Sequence, residues 1–397
     1  MISPAEAEKL ILDAMPPAPE EDSPIAEAQG RVLRSAIHAD RDLPPFDRAT
    51  MDGFALRSAA AAAGVTRFRI EAVQAAGQPA RALGAEREAC VEIMTGAPLP
   101  TSADCVVPYE DATREDAFMT LAPGTAWAPG NAVHRQGTDH RMGEIIVHPG
   151  TRLSGREIAV AAACGRATLA VSRQPTLAVV ATGDELVEVG AAAASHQIRR
   201  SNDYALRAAL LQAGYARVER FHLRDEPAAV AGGLRRILAE HDVVILTGGV
   251  SRGKFDLIPA ELERQGVTKI FHGVAQRPGK PLWFGLGDRR QPVFALPGNP
   301  VSAYLCLHRY VLPALAAASG LVRLPPRRVA LAGPFRFPAK LTRFLPVELD
   351  ERWRAKPVPG NTSGDFSGLV GTDGFVELPA EEAEFPAGYL ARFWPWA

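Results

Sequence analysis

The pattern of apolar and polar positions changes character several times along this chain, and each change predicts a seam in the fold. Near the start, Ser3, Pro4 and Glu6 supply a hydroxyl cap, a first-turn proline and an acid at the third position, so a helix is predicted to about Met15. Pro16, Pro17 and Pro19 stop it, and a second helix is predicted from about Pro24, carrying Ile25 and Ala28 toward Val32 and Leu33. From Arg67 to about Asp139, short apolar runs alternate with Gly and Pro, which predicts a small β-rich domain. The alanine-rich stretch 153–169 reads as helix and is expected to pack beside the first helices.

From Pro175 onward, strands and helices alternate. Thr176–Thr182 reads as a strand, Ser201 and Asn202 cap a helix to about Ala213, and Val218–Leu223 is a second strand. Asp225, Glu226 and Pro227 start the next helix, which leads to the run Val243–Leu246, aliphatic without alternation, as a strand covered on both faces would be. A further helix is predicted over Phe255–Glu263. Such alternation predicts a parallel sheet with helices on both faces and a ligand edge at the carboxyl ends of its strands. Leu321–Pro326 reads as a linker, and beyond it short β runs between Gly and Pro suggest a small barrel or sandwich. The expected fold class is multidomain α/β: a helical region at 1–45 and 141–174, a small β-rich domain at 46–140, a central three-layer αβα domain with a mostly parallel sheet at 175–324, and a C-terminal β-barrel-like domain at 325–397.

Three loops at the predicted strand ends carry the candidate chemistry. In HDVVILTGGVSRGKFD, Gly248 and Gly249 can take positive φ and place no side chain between backbone N–H groups and a ligand. Gly248 to Lys254 also fits the first seven positions of a phosphate loop, but the eighth is Phe255, not the hydroxyl that a P-loop sets on Mg²⁺. QRPGKP presents Arg277 and Lys280, a fork donor and a point charge suited to an oxyanion. LPGNPVS enters a turn whose Asn299, after Gly298, can cap the helix that Pro300 starts. Each loop alone could be a solvated turn; three at consecutive strand ends point to one anion site. Elsewhere, Asp52 before Gly53 reads either as a turn or as a site acid, Thr95 either caps a turn or binds a ligand oxygen, Asp139 is an acid in a loop, and Ser363 and Ser367 lie on a polar loop near the end.

Composition narrows the classes. With 397 residues, 47% hydrophobic and 22% charged, the chain can bury several cores, and a net charge of -1 gives no global attraction to nucleic acid, so phosphate binding must be local. Cys90, Cys105, Cys164 and Cys306 are far apart and mostly in apolar runs, which reads as reduced core residues. No signal-peptide core and no stretch of about 18 apolar residues is evident, so no membrane and a cytoplasmic location are expected.

The motifs PPFDRATMDGFAL, IMTGAPLPTSADCVVPYED, TGDEL, SND, TGGVSRGKFD, RPGKP and LPGNPVSA, in this order, resemble the MoeA family of molybdopterin molybdenumtransferases, shared with the gephyrin E domain. The resemblance implies an enzyme that takes adenylylated molybdopterin and molybdate, cleaves the adenylate, leaves molybdenum on the dithiolene and releases AMP, with Mg²⁺ as helper. It implies functional roles for Asp52, Asp139, Glu185, Asp225 and Asp256, with Asp256 and Glu185 as metal contacts. Substrate contacts are implied for Thr95, Gly248, Gly249, Ser251, Arg277, Lys280, Gly298, Asn299, Ser363 and Ser367. It also implies a homodimer with composite active sites, its interface formed by the N-terminal helices. The chain departs from the family pattern at Lys254, where an acid is common, at Arg277, where Lys is frequent, at Arg200, where an Asp often precedes the Ser-Asn pair, and at Gly273, which replaces a basic residue. Two alternatives stay open: a molybdopterin adenylyltransferase-like enzyme, and a non-catalytic molybdopterin-binding scaffold.

Overall fold

The structure, a computed structural model, describes residues 1–250, 257–338, 340–358 and 364–396. The chain forms two units: Met1–Arg34, Pro149–Ser154 and Leu169–Ala397 make one, Ser35–His148 and Gly155–Thr168 the other. The architecture is multidomain α/β with mixed sheets.

The first unit is built on a six-stranded sheet in the order Val218–Leu223, Leu177–Thr182, Val243–Thr247, Pro292–Leu296, Trp283–Leu286, Thr268–His272. The first four strands run parallel, and the last two join by antiparallel pairing. Leu177 and Val179 enter one core with Leu206 and Leu210 of the helix Asn202–Gln212, while Ala178 and Val180 enter a second core with Val230, Leu234 and Ile237 of the helix Pro227–Glu240. Burial on both faces is why Val243–Thr247 needs no polar alternation. Truncating any of these large aliphatics to Ala would cost roughly 2–5 kcal/mol.

The N-terminal helix Pro4–Ala14 begins as the sequence predicts, with Ser3 Oγ accepting from the Glu6 amide at 3.1 Å. Its Ala7 and Ile11 pack into the first of the two cores. The second helix expected from Pro24 is absent. Glu20–Pro24 is a strand paired with Thr168–Ser172, followed by a single 3-10 turn at Ile25–Glu27. Gly30, at φ +77°, turns the chain before another helical turn can form. The helix expected to start at Phe255 is described from Ile258 to Arg264.

The helical segment Pro300–Ala318 is long and apolar enough to cross a membrane by length and composition alone, a stretch the sequence reading did not pick out, and most of it is buried in this fold. Its middle turn, Leu307–Val311, widens into a π-helix. That turn seats Arg309, wholly buried, against Glu8 at 2.8 Å and Glu377 at 2.9 Å. Arg323 and Arg392 also reach Glu8, and Trp394 Nε1 donates to Glu377 at 2.9 Å. The network ties the first helix, the long helix and the last strands into one unit.

The C-terminal strands run in the order Thr342–Leu349, Gly374–Leu378, Leu390–Pro395, Arg328–Ala330, with Ala355–Pro357 on the other edge of the first. A bridge between Leu331 and Ala355 closes the circuit around Val329, Val347, Val376 and Phe393. Gln276–Arg277 also joins these strands, parallel to Thr342–Leu349. The second unit holds a six-stranded sheet in the order Cys105–Pro108, Gly53–Leu56, Ala89–Ile93, Arg67–Gln74, Phe118–Leu121, Ala112–Glu115. All four cysteines are free and buried.

Candidate active site

At the carboxyl ends of Leu177–Thr182 and Val243–Thr247 lies a cleft of about 390 Å³, bounded by Thr182, Glu185, Asn202, Gly248, Gly298 and Asn299, with Gly364 of the C-terminal strands' connecting loop also on its wall. Two of its glycines are required by geometry. Gly248, at φ +97°, would set a Cβ 2.7 Å from the Thr182 carbonyl oxygen, and Gly249, at φ +64°, would set one 2.7 Å from Ile258. Gly298 differs, since its Cβ would meet the Gly248 Cα at an ordinary 3.5 Å. Asn202, read from sequence as a cap, instead donates through Nδ2 to Thr247 Oγ1 at 2.9 Å and to the Gly298 carbonyl at 2.7 Å, so it fastens the two strand-end turns together. Asn299 stands at the N-cap position before Pro300.

The loop after Leu177–Thr182 places the acids. Gly183, at φ +144°, passes so close beneath the Glu185 carboxylate that a Cβ there would lie 2.5 Å from it. A short parallel ribbon, Leu186–Val187 with Ile198–Arg199, returns the chain to Arg200. Arg200, a departure from the family pattern, is nine-tenths buried and pairs with Glu188 at 2.6 Å and, at 3.7 Å, with the fully buried Asp203. Asp203 also pairs with Arg220 at 3.1 Å, and the Arg220 guanidinium lies 3.5 Å over the Tyr204 ring. The Tyr204 hydroxyl donates to Glu188 and holds its carboxyl below the usual range. Asp225 follows the second strand, its amide donating to Asp184 at 3.1 Å. Gly273 sits buried at φ +95°, its amide donating to the Leu282 carbonyl, so this position is a backbone turn in the left-handed region that favours glycine.

Ser251, Lys254, Asp256 and Ser363 lie outside the described residues. Among the described residues, no three His, Cys, Asp or Glu side chains gather as a metal-binding set. Glu185 is the accessible carboxylate on the cleft wall. One or two carboxylates completed by substrate phosphates is a coordination that Mg²⁺ accepts, so this donor set fits that ion.

Arg277 and Lys280 are exposed and do not line the cleft. Arg277 lies in the strand added to the C-terminal strands, its guanidinium 5.9 Å over the Phe337 ring. Arg343, also over Phe337, is pushed below its ordinary pKa by burial and then by the charge of Arg277. Arg277 and Arg343 thus share the Phe337 ring as a pair of neighbouring cations outside the lining of the cleft. Ser367 Oγ donates to Asp365 at 2.5 Å.

In the second unit, Asp52 and Thr95 come together. Asp52 Oδ1 accepts from the Thr95 hydroxyl at 2.7 Å and from its amide at 2.6 Å, and these bonds hold the Asp52 carboxyl below the usual carboxylate range. Asp139 pairs with His134 at 3.0 Å. Sequence reasoning passed over Thr182 and Asp203 as site residues and missed the tethering role of Asn202. The SND motif contained Asn202 and Asp203, and Thr182 stood beside Gly183 at a strand end, but neither position showed what the side chain would bond.

A multidomain α/β protein with a strand-end cleft walled by glycines falls in the class whose ligands bind at this edge of the sheet. Residues 178–317 match the family described as "Probable molybdopterin binding domain", residues 2–165 match "MoeA N-terminal region (domain I and II)", and residues 328–396 match "MoeA C-terminal region (domain IV)". The chain belongs to the MoeA family. It is 38% identical to a molybdopterin molybdenumtransferase of Synechocystis sp., covering 100% of both chains, and 30% identical to one of Staphylococcus epidermidis, covering 92% of this chain and 88% of the relative. A solved molybdopterin biosynthesis moea protein from Pyrococcus horikosii is 29% identical, with a TM-score of 0.80 over 100% of this chain and 99% of that one.

Proposed function

We propose that this chain is a molybdopterin molybdenumtransferase of molybdenum cofactor biosynthesis, which takes adenylylated molybdopterin and molybdate, cleaves the adenylate and releases AMP while molybdenum is left on the dithiolene. The observation that carries this reading is the glycine-walled cleft at the strand ends, in a chain whose three successive segments match the MoeA regions from end to end. A phosphoanhydride and molybdate are both oxyanions, and backbone unshielded by Cβ atoms is suited to approach them. Gly248, Gly249, Gly298 and Asn299, with Ser251, would seat the phosphates. Arg277 and Lys280 would draw the anionic substrate by charge, and Ser363 and Ser367 would contact it from the C-terminal loop.

Glu185 and Asp256 would hold Mg²⁺, which when bound neutralises charge developing at the phosphates. Asp52, Thr95, Asp139 and Asp225 would place the substrate; the preformed Asp52–Thr95 pair supports this role, since it keeps the Asp52 carboxyl ionised and fixed. These residues are proposed to work in a cytoplasmic homodimer with composite sites, the N-terminal helical region contributing to the interface. Mixing inactive Asp52→Ala and Asp256→Ala proteins under demonstrated subunit exchange is expected to restore activity; a mixture that stays inactive would remove the composite site.

AMP release from adenylylated molybdopterin, measured with and without molybdate, tests the activity itself. Release that depends on molybdate supports the transferase. Adenylylation of molybdopterin by ATP in its place would favour the adenylyltransferase reading, and binding without either reaction would favour a scaffold.

A further inference from the structure

Three buried side-chain atoms that make no hydrogen bond, Thr182 Oγ1, Arg200 Nε and Asp203 Oδ1, belong to residues that line the same strand-end cleft. Leaving such an atom unsatisfied costs about 1–3 kcal/mol, and more when it is charged. Their concentration at one place marks a polar floor prepared for a partner. Thr182 is 4% exposed, the Arg200 side chain 10%, and Asp203 not at all.

The chemistry of the three atoms defines what that partner presents. Asp203 Oδ2 faces Arg220 and Arg200, which leaves Oδ1 as a pure acceptor that would repel a phosphate or molybdate oxygen and welcome an N–H. Arg200 spends Nη2 on Glu188, which leaves Nε–H as a donor for a carbonyl oxygen or ring nitrogen. The Thr182 hydroxyl can serve either way. Thr182 Oγ1 also lies where Cβ atoms on Gly248 and Gly249 would approach to 3.0 and 3.1 Å, so the hydroxyl sits directly under the glycine turn. An oxyanion on the glycines and an N–H-bearing edge on the floor are therefore compatible within one ligand.

We propose that Thr182, Arg200 and Asp203 form a subsite for the pyrimidinone edge of a pterin, whose amino and ring N–H donors stand beside a carbonyl acceptor. This subsite rests on the molybdopterin reading above and deepens it: the oxyanions of the substrate bind at the glycines, and the neutral ring is recognised beneath them. Arg200 and Asp203 act here as a specificity pair, their mutual contact keeping each fixed.

The test uses the full-length protein and two separate probes, 6-hydroxymethylpterin for the ring and AMP for the phosphate, each titrated by fluorescence or calorimetry. Wild type is expected to bind both. Asp203→Leu is expected to weaken pterin binding about tenfold or more, Asp203→Asn less, and the near-isosteric Thr182→Val about threefold to tenfold, with AMP affinity unchanged in each. Thr182→Val guards against a folding defect at Asp203, and its circular dichroism should match wild type. Unchanged pterin affinity in folded Thr182→Val and Asp203→Asn, a wild type that does not bind the pterin, or parallel loss of AMP would each overturn the subsite. Failure here, with molybdate-dependent AMP release intact in wild type, removes the subsite and leaves the proposed reaction standing.

Discussion

Replacing Glu8 by Gln removes a charge from the network that joins the first helix, the long helix and the last strands, and the structure sets the size of the effect. Burial resists ionisation of Glu8, yet the charges of Arg309, Arg323 and Arg392 outweigh it and hold the carboxyl down to about 2 against an ordinary 4.5. At about 1.4 kcal/mol per pKa unit, that depression corresponds to roughly 3 kcal/mol. Arg309 keeps Glu377 in the variant, so a range of roughly 2–4 kcal/mol is expected for the loss of one partner from a buried cluster. The folded pKa lies below the unfolded one, so the stabilisation is complete above about 4.5 and disappears as pH falls toward 2. Urea unfolding of both proteins should therefore diverge most at neutral pH and converge at the acid end. Trp394, bonded to Glu377 and with Arg309 4.5 Å over its ring, is a local fluorescence reporter for the transition. Equal stability at neutral pH, or a difference that persists undiminished near pH 2, would refute the reasoning.

Other consequences follow from single contacts. Gly248→Ala is expected to lose roughly 1–3 kcal/mol of stability and most substrate affinity, because its φ is positive and its Cβ would strike the Thr182 carbonyl, whereas Gly298→Ala should melt within a degree or two of wild type; paired thermal melts decide between them. His308 is held neutral by burial, its pKa lowered to about 4, so the unfolded chain binds the extra proton and stability should fall between pH 6.5 and 4; His308→Phe should flatten that slope in melts across the range. Arg277→Ala and Lys280→Ala should each weaken adenylylated molybdopterin binding more at low salt than at high salt, as titrations at two ionic strengths would show, since both side chains are exposed and act by charge.

What could be read from sequence was what local pattern determines. The unbroken Val243–Leu246 run carried the parallel strand, and Gly248 and Gly249 carried the turn, because burial on two faces and positive φ each leave a residue-level signature. Pairing choices left none. Gln276–Arg277 looked like part of the central sheet's edge, but a two-residue strand takes whichever neighbour the tertiary fold supplies, here Thr342–Leu349. The stretch after Pro24 has helical periodicity over so few residues that, with Glu20–Pro24 just before it held as a strand against Thr168–Ser172 and Gly30 turning the chain just after, only one 3-10 turn forms. Arg309 could not be connected with Glu8 and Glu377 from sequence, since three hundred residues or so separate the first pair and the contact exists only once the π-turn is formed. Asn202 was legible as polar at a helix start, but its bonds to Thr247 and Gly298 depend on two strand ends being adjacent.

The central claim is that adenylate cleavage and molybdenum insertion are one coupled event at the strand-end cleft. The most direct measurement quantifies AMP and dithiolene-bound molybdenum together in single turnovers, with molybdate varied and Mg²⁺ held constant. Equal yields of the two products that rise together with molybdate, and that both fail in Gly248→Ala, are predicted. AMP released without molybdate or without molybdenum insertion, or insertion that proceeds undiminished in Gly248→Ala, would contradict the account.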